Sequence, residues 1–250
     1  MKLLINPRTL FCTAILLLAI AAKGQQDEKQ QVLREFATLI NTYYAASSVE
    51  FDITYRCSRE ETPGEYLDSL SGKFKMSGQR YWYRVDSMET IGNKDLVVVL
   101  FREDQVMYLS RPGQLARSNN PLAMLDSFFM DNDEYEYAVT DMQQEKKITL
   151  TSKKQDAVRK IEYFISRETG LLTRMHNTVN AGLLYDETVR QAMEPANTYV
   201  VIEMLFDNYR VNRAGADIPD AANYFKKEGQ QYVTLPPYHM YKIFIGSPNL

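Results

Sequence analysis

Between Gln31 and Cys57 the spacing of apolar side chains changes from that of a helix to that of a strand within a few residues. Val32, Phe36, Leu39, Ile40, Tyr43 and Tyr44 recur at helical intervals and draw one apolar stripe. From Val49 the period is two. Val49, Phe51, Ile53, Tyr55 and Cys57 alternate with Ser48, Glu50, Asp52, Thr54 and Arg56, so a strand sends the first set to an apolar face and the second to water. A one-sided helix is joined to a one-sided strand. Function then turns on what covers the apolar face of the sheet that this strand begins: the protein's own side chains or a ligand's.

The two-residue period returns many times. Arg59 to Gly72 reads as a polar loop turning at Pro63-Gly64. Gly72 to Met76 and Arg80 to Asp86 are expected strands, with Phe74 and Met76 on one face and Tyr81, Tyr83 and Val85 together on another. Leu96 to Phe101 is apolar throughout and pairs as a hairpin with Val106 to Ser110. Asn120 caps a short expected helix that starts at Pro121 and ends at Asp131, with Leu122, Met124, Leu125, Phe128 and Phe129 on its apolar side. Strands are expected again at Tyr135 to Met142, Lys147 to Thr151, Val158 to Ser166 and Leu171 to Val179. Asn180 to Asn197 has no period and reads as a long loop. Asn197 to Val211 is the longest strand candidate, followed by a helical turn in Asp220 to Lys227 and a closing strand or arm at Tyr241 to Ile245.

The first 24 residues have the layout of a secretory signal peptide: Lys2 and Arg8, an apolar run from Leu10 to Ala22, and Ala22-Lys23-Gly24 before Gln25. Removing 24 residues from 250 leaves 226, enough for one domain with a sizeable core. The segment takes three basic residues and no acids with it, which moves the net charge from −3 to −6. An acidic chain without a basic face is a poor nucleic-acid binder. Cys57 is then the one remaining thiol, so no internal disulfide is expected. The expected organisation is a signal peptide at 1–24, a domain at 25–228 and a tail at 229–250, in a soluble periplasmic protein.

Catalytic groups are sparse. The histidines are His176 and His239, and neither stands in a nucleophile-and-base motif. Cys57 ends the apolar parity of its strand, which reads as packing. Asp131-Asn132-Asp133-Glu134 starts like a calcium loop, but Tyr135 and Glu136 replace an oxygen ligand and the turn glycine. Lys146, Lys147, Lys153 and Lys154 flank a strand, where lysine keeps edges soluble. No enzyme activity, cofactor or metal is expected. Methionines and aromatics are spread over the strands, a composition suited to adaptable apolar surfaces as well as to an ordinary core.

In order along the chain, several local patterns resemble the LolA/LolB family of periplasmic lipoprotein carriers and outer-membrane lipoprotein-sorting proteins. They are Ser48 to Tyr55 after a helix, Gly72 to Met76 followed by the aromatic-rich Arg80 to Arg84, and the hairpin of Asp95 to Phe101 with Gln105 to Leu109. Asn120 to Leu125 is similar to the family's short internal helix, and Lys160 to Leu172 to its late hairpin. The match covers about Gln31 to Val211; Glu103-Asp104-Gln105 replaces the family's Asp-Gly turn, and the chain after Lys227 has no counterpart. The resemblance implies a mainly β, α+β fold: a curved antiparallel sheet forming an incomplete half-barrel, with helices covering its concave face. It also implies a carrier or binding protein for lipoprotein or lipid acyl chains, or another amphiphile, held between sheet and helical lid, with transient contact to a membrane surface. The lining expected from strand parity and resemblance is Phe51, Ile53, Tyr55, Phe74, Met76, Tyr81 and Tyr83 from the sheet, with Leu122, Met124, Leu125 and Phe128 from the lid. The alternative is a non-enzymatic envelope adaptor or sensor with a self-filled core and a protein partner.

Overall fold

A computed structural model describes residues 27–112, 134–154, 157–185, 199–213, 217–247 and 250. Helix α1 spans residues 27–45. Its end is tied to the sheet where the Ser47 N–H donates to the Asn212 side-chain oxygen at 2.8 Å. The strands are β1 Val49–Arg59, β2 Tyr66–Ser77, β3 Arg80–Val85, β4 Met88–Gly92, β5 Val97–Phe101, β6 Val106–Ser110, β7 Tyr135–Asp141, β8 Glu145–Ser152, β9 Val158–Ser166, β10 Leu172–Asn180, β11 Tyr199–Val211, β12 Phe225–Glu228, β13 Gln231–Thr234 and β14 Lys242–Ile245. Twelve of them form one long, curved, open sheet in the order β14-β6-β5-β4-β3-β2-β1-β11-β10-β9-β8-β7, while β12 and β13 pair separately. Every neighbouring pair in the large sheet is antiparallel except β14 with β6.

The apolar parity of β1 faces inward. Phe51, Phe74 and Tyr83 stand opposite one another across β1, β2 and β3, as do Tyr163 and Met175 across β9 and β10. Together with Val32, Phe36, Leu39 and Tyr43 of α1 they form the main core. The outer face of β3–β6 is not left to solvent. Trp82, Ile91, Val98, Leu100, Met107 and Leu109 pack against Ile218, Ala221, Tyr224, Tyr238 and Tyr241 in a second core. The segment from Ile218 to Tyr241 therefore covers part of the sheet, and β14 extends it.

Three stretches differ from the sequence reading. β2 begins at Tyr66, within the expected loop, because the far half of β1 needs a partner: Tyr55 pairs with Leu70 and Ser58 with Tyr66. β4 has no counterpart among the expected strands, since its buried members include Glu89 and Thr90. Asp220 to Lys227 is a 3-10 turn at Ala221–Asn223 leading into β12. The expected helix at 121–131 lies outside the described residues, as do most of the 180–197 loop and Asp131 to Asp133. No helix among the described residues is long and apolar enough to cross a membrane.

Candidate functional site

Helix α1 closes only part of the inner face. The Phe36 ring meets Tyr163 edge-on at 4.8 Å, Tyr43 meets Phe51 at 6.4 Å, and the Tyr43 and Tyr209 hydroxyls share a hydrogen bond of 2.8 Å. Phe51 stacks on Phe74 at 4.9 Å. Lys146 pins the flank of the helix through Glu35 at 2.6 Å. Beneath this cover Phe51 and Ile53 are 1% exposed and Phe74 is 0% exposed. Those three side chains of the expected lining touch the helix and its neighbours rather than free space. Met76 and Tyr81 are also buried in the same core.

One row further along the strands the helix no longer reaches, and a groove of about 490 Å³ opens. Its floor is built by register. Leu70, Tyr55 and Met204 form one row across β2, β1 and β11, and Asp68, Cys57, Ile202 and Asn177 form the next across β2, β1, β11 and β10. Tyr83, Val85 and Met88 make one wall. The opposite wall is the overhang after β10, where Asn180 caps the 3-10 turn Ala181–Leu183 and Leu184 and Tyr185 follow. The Tyr185 hydroxyl donates to the Cys57 sulfur at 3.3 Å, which holds the overhang across the floor. At the rim Leu70 and Leu184 are 41% and 47% exposed. Of the expected lining, Tyr55 and Tyr83 are the members that face this groove, and Leu122, Met124, Leu125 and Phe128 lie outside the described residues.

Polar groups in the groove are few. The Tyr55 and Tyr83 hydroxyls share a hydrogen bond of 2.5 Å. Burial raises the Tyr83 hydroxyl well above the ordinary tyrosine range and the neighbouring Tyr55 adds to it; burial also raises Tyr55, against the opposing effect of that hydrogen bond. Tyr185 is pushed up to about 12, first by burial, then by Cys57 and the Asp68 charge. These phenols stay neutral at ordinary pH, so charge at the groove comes from Asp68 and Arg56, which also line it. Among the described residues the buried Asn177 side-chain oxygen has no hydrogen-bond partner.

Among the described residues the groove brings no nucleophile within reach of a base. Cys57 bonds to a neutral phenol rather than to a base, and His176 lies on the outer face, 3.1 Å from Glu203. Among the described residues no group of three or more His, Cys, Asp or Glu side chains is placed to hold a metal ion. A second depression of about 580 Å³ on the outer face of β1–β3 and β11 is lined by Asp52, Lys73, Arg84, Asp86 and Asp207, with Asp52 3.2 Å from Lys73 and held by Asn208 at 2.9 Å. The flanking lysines are also engaged, Lys147 with Glu162 at 3.2 Å and Lys154 with Glu134.

Sequence reasoning passes over Leu70, Leu184 and Tyr185 because they fall in stretches that read as loops. It passes over Ile202 and Met204 for a different reason. Both parities of β11 are apolar, Val201 and Leu205 on one and Ile202 and Met204 on the other, so alternation does not distinguish a groove face.

No protein-family model matches the chain, and no curated protein matches it. Solved structures with a similar arrangement of strands include a LolA superfamily protein, NE2245 from Nitrosomonas europaea, at 8% identity and TM-score 0.32, over 75% of this chain and 96% of that one. An uncharacterized conserved protein from Thermus thermophilus matches at 8% identity and TM-score 0.41, over 76% and 95%. The MucA/MucB complex of Pseudomonas aeruginosa matches at 13% identity and TM-score 0.33, over 77% of this chain and 62% of that one.

Proposed function

We propose that this chain is a non-enzymatic envelope protein that binds the acyl chain of a lipoprotein, lipid or similar amphiphile in the groove beyond α1. The observation that carries the reading is a stretch of inner face that no described residue covers, where Tyr55, Leu70, Met204 and Ile202 continue the apolar surface past the point at which the helix ends its contact. Its volume lies in the range of small-ligand sites, apolar with a few convergent polar groups. Each methylene buried there contributes about 0.8 kcal/mol. A chain of about ten methylenes then gains roughly 8 kcal/mol before the cost of ordering it, which suits reversible carriage rather than permanent capture. Leu183, Leu184 and Leu70 at the rim supply apolar contact for drawing a chain from a membrane surface.

The test uses the exposed rim, where substitution spares the core. A fluorescent fatty-acyl probe is titrated into the protein and into Leu70→Asp and Leu184→Asp variants, with Val233→Asp, exposed on the separate β12–β13 pair, as control. Both rim variants are expected to weaken binding about tenfold with unchanged circular dichroism, while the control binds normally. The bound probe should also slow alkylation of Cys57. Equal binding by all four proteins, with no protection of Cys57, would sink the reading.

The adaptor reading has one observation of its own. At the sheet edge Phe101, Tyr108 and Phe244 form an exposed aromatic row, with Tyr108 stacked on Phe244 at 5.2 Å. A Phe244→Asp variant that keeps probe binding but loses a protein cross-link formed in cells would favour it.

A further inference from the structure

Two tyrosines on strands that are not neighbours make a polar point in the groove. Tyr55 stands on β1 opposite Leu70 of β2, and Tyr83 stands on β3 opposite Phe74 of β2. Side chains two apart on a strand share a face. The β2 residue between Leu70 and Phe74 on that face is therefore Gly72, which raises no side chain between the two rings. Their strands lie about 10 Å apart, two sheet spacings, and the phenols reach across this gap until the hydroxyls meet at 2.5 Å. Both tyrosines line the groove, with the apolar Leu70, Val85, Met88, Ile202 and Met204 around them.

Counting protons shows what the pair can still do. Two phenols carry two O–H donors. One is used in the bond they share. The other has no acceptor, because neither hydroxyl makes a second hydrogen bond among the described residues. Burial keeps both phenols neutral, so this donor is present at ordinary pH. Chained hydrogen bonds polarise one another, which strengthens the free O–H as a donor. An alkyl chain laid in the groove would cover the O–H and leave it unmade, which costs free energy. An ionised carboxylate would give up its water for one bond from an uncharged donor. A neutral carbonyl oxygen accepts that bond with far less to desolvate.

We propose that the groove selects acyl chains held in ester linkage, with the acyl carbonyl oxygen accepting from the Tyr55–Tyr83 pair and the methylenes running on over Leu70, Met204 and Ile202. Tyr55 and Tyr83 then determine specificity: they read the carbonyl, while the apolar floor holds the chain. This inference rests on the acyl-binding reading above and adds the linkage that the groove prefers.

The test displaces the fluorescent acyl probe from the full chain with three competitors of equal chain length, each below its micelle concentration: a monoacylglycerol, the alkylglycerol ether in which a methylene replaces the carbonyl, and the free fatty acid at neutral pH. The ester is expected to compete about fivefold better than the ether, the scale of one net hydrogen bond. It should also compete better than the ionised acid. A Tyr55→Phe/Tyr83→Phe double variant removes both hydroxyls and keeps the ring shapes, a replacement that buried sites tolerate. Ester and ether should then compete equally. Each single variant leaves one hydroxyl to donate, so each should lower the ester-to-ether ratio without abolishing it, and these variants decide the matter if the double one does not fold. An isotopic label on the ester carbonyl gives a second readout: its infrared stretch should lie lower on the native protein than on the double variant. Equal competition by ester and ether on the native protein, or a ratio that no tyrosine variant changes, overturns the linkage inference while the acyl reading stands. A fatty acid that outcompetes the ester assigns the pair to a carboxylate, and the ester assignment is wrong. Failure of all three to displace the probe overturns both.

Discussion

Gly72 shows how little room the sheet leaves beside the groove. It sits in β2 between Ile53 of β1 and Val85 of β3. A Cβ placed there would lie 2.6 Å from the Arg84 carbonyl oxygen and 2.6 Å from a Val85 methyl group. The carbonyl belongs to backbone that is itself held in the sheet, so it cannot swing aside as a side chain would. Gly72→Ala is expected to destabilise the fold by about 2 kcal/mol, the scale of overpacking, read as a lower urea midpoint with an unchanged slope. An unaltered midpoint would show that β2 and β3 separate there at little cost. At this scale the sequence is informative about faces and silent about height. Parity places Phe51, Ile53, Tyr55 and Tyr83 on one surface, where they are. It cannot say that Phe51 and Ile53 meet α1 while Tyr55, two residues on, meets a groove. That depends on where a helix packed from elsewhere stops, which no period within the strand encodes.

Strand β4 is an element that polarity conceals. Its Glu89 is buried on the outer face, accepting from Trp82 Nε1 at 2.7 Å, Tyr224 Oη at 3.1 Å and Arg102 Nε at 3.1 Å. A glutamate that reads as solvent-facing in the sequence is thus the polar knot that ties the segment after β11 to the sheet. Burial pushes the Glu89 carboxyl up, but hydrogen bonds from Arg102 and Trp82, the Arg102 charge and Tyr224 outweigh it and leave it below its ordinary value of 4.5. A carboxyl lowered in the folded state adds stability that is fully present above its unfolded pKa and lost as pH falls through the folded value. Glu89→Gln keeps the shape and removes that linkage. At pH 7 the variant should be less stable by about 2 kcal/mol, the worth of hydrogen bonds to a charged group. The gap should narrow as urea unfolding is repeated below about pH 4, because the native protein alone loses this contribution there. A gap that stays constant to about pH 3 would show that the Glu89 charge carries none of this stability. The hairpin β9–β10 lies at the other extreme. Its turn at Arg167 to Gly170 and its alternation are legible because both are local, and Gly170 adopts the positive φ of 69° that the turn demands.

Over the whole molecule the sheet is covered on opposite faces at its two ends, by α1 inside and by the C-terminal segment outside. This explains how a chain whose inner face the described residues cover only in part stays folded. The β3–β6 end has its own core, and Leu100, Met107 and Leu109 are fully buried in it beneath Tyr224, Tyr238 and Tyr241. The same segment supplies β14, whose parallel pairing with β6 occupies what would otherwise be a longer open edge. Ending the chain after Glu228 would remove β13, Tyr238, Tyr241 and β14 in one step. The exposed surface would then combine an apolar sheet face with an unpaired strand, the combination that drives edge-to-edge association. The truncated protein is expected to run as oligomers in size-exclusion chromatography. Trp82, the only tryptophan in the chain, should shift its emission to the red as its cover is lost. The groove residues Tyr55, Cys57 and Met204 lie on β1 and β11, whose partners do not include the removed strands. Binding of the acyl probe should therefore survive in whatever fraction remains monomeric. A monodisperse monomer with unshifted emission would mean that the C-terminal segment is an accessory. Loss of probe binding in the monomeric fraction would mean instead that the sheet is cooperative from β14 to β11, and that the outer core sets the geometry of the inner groove.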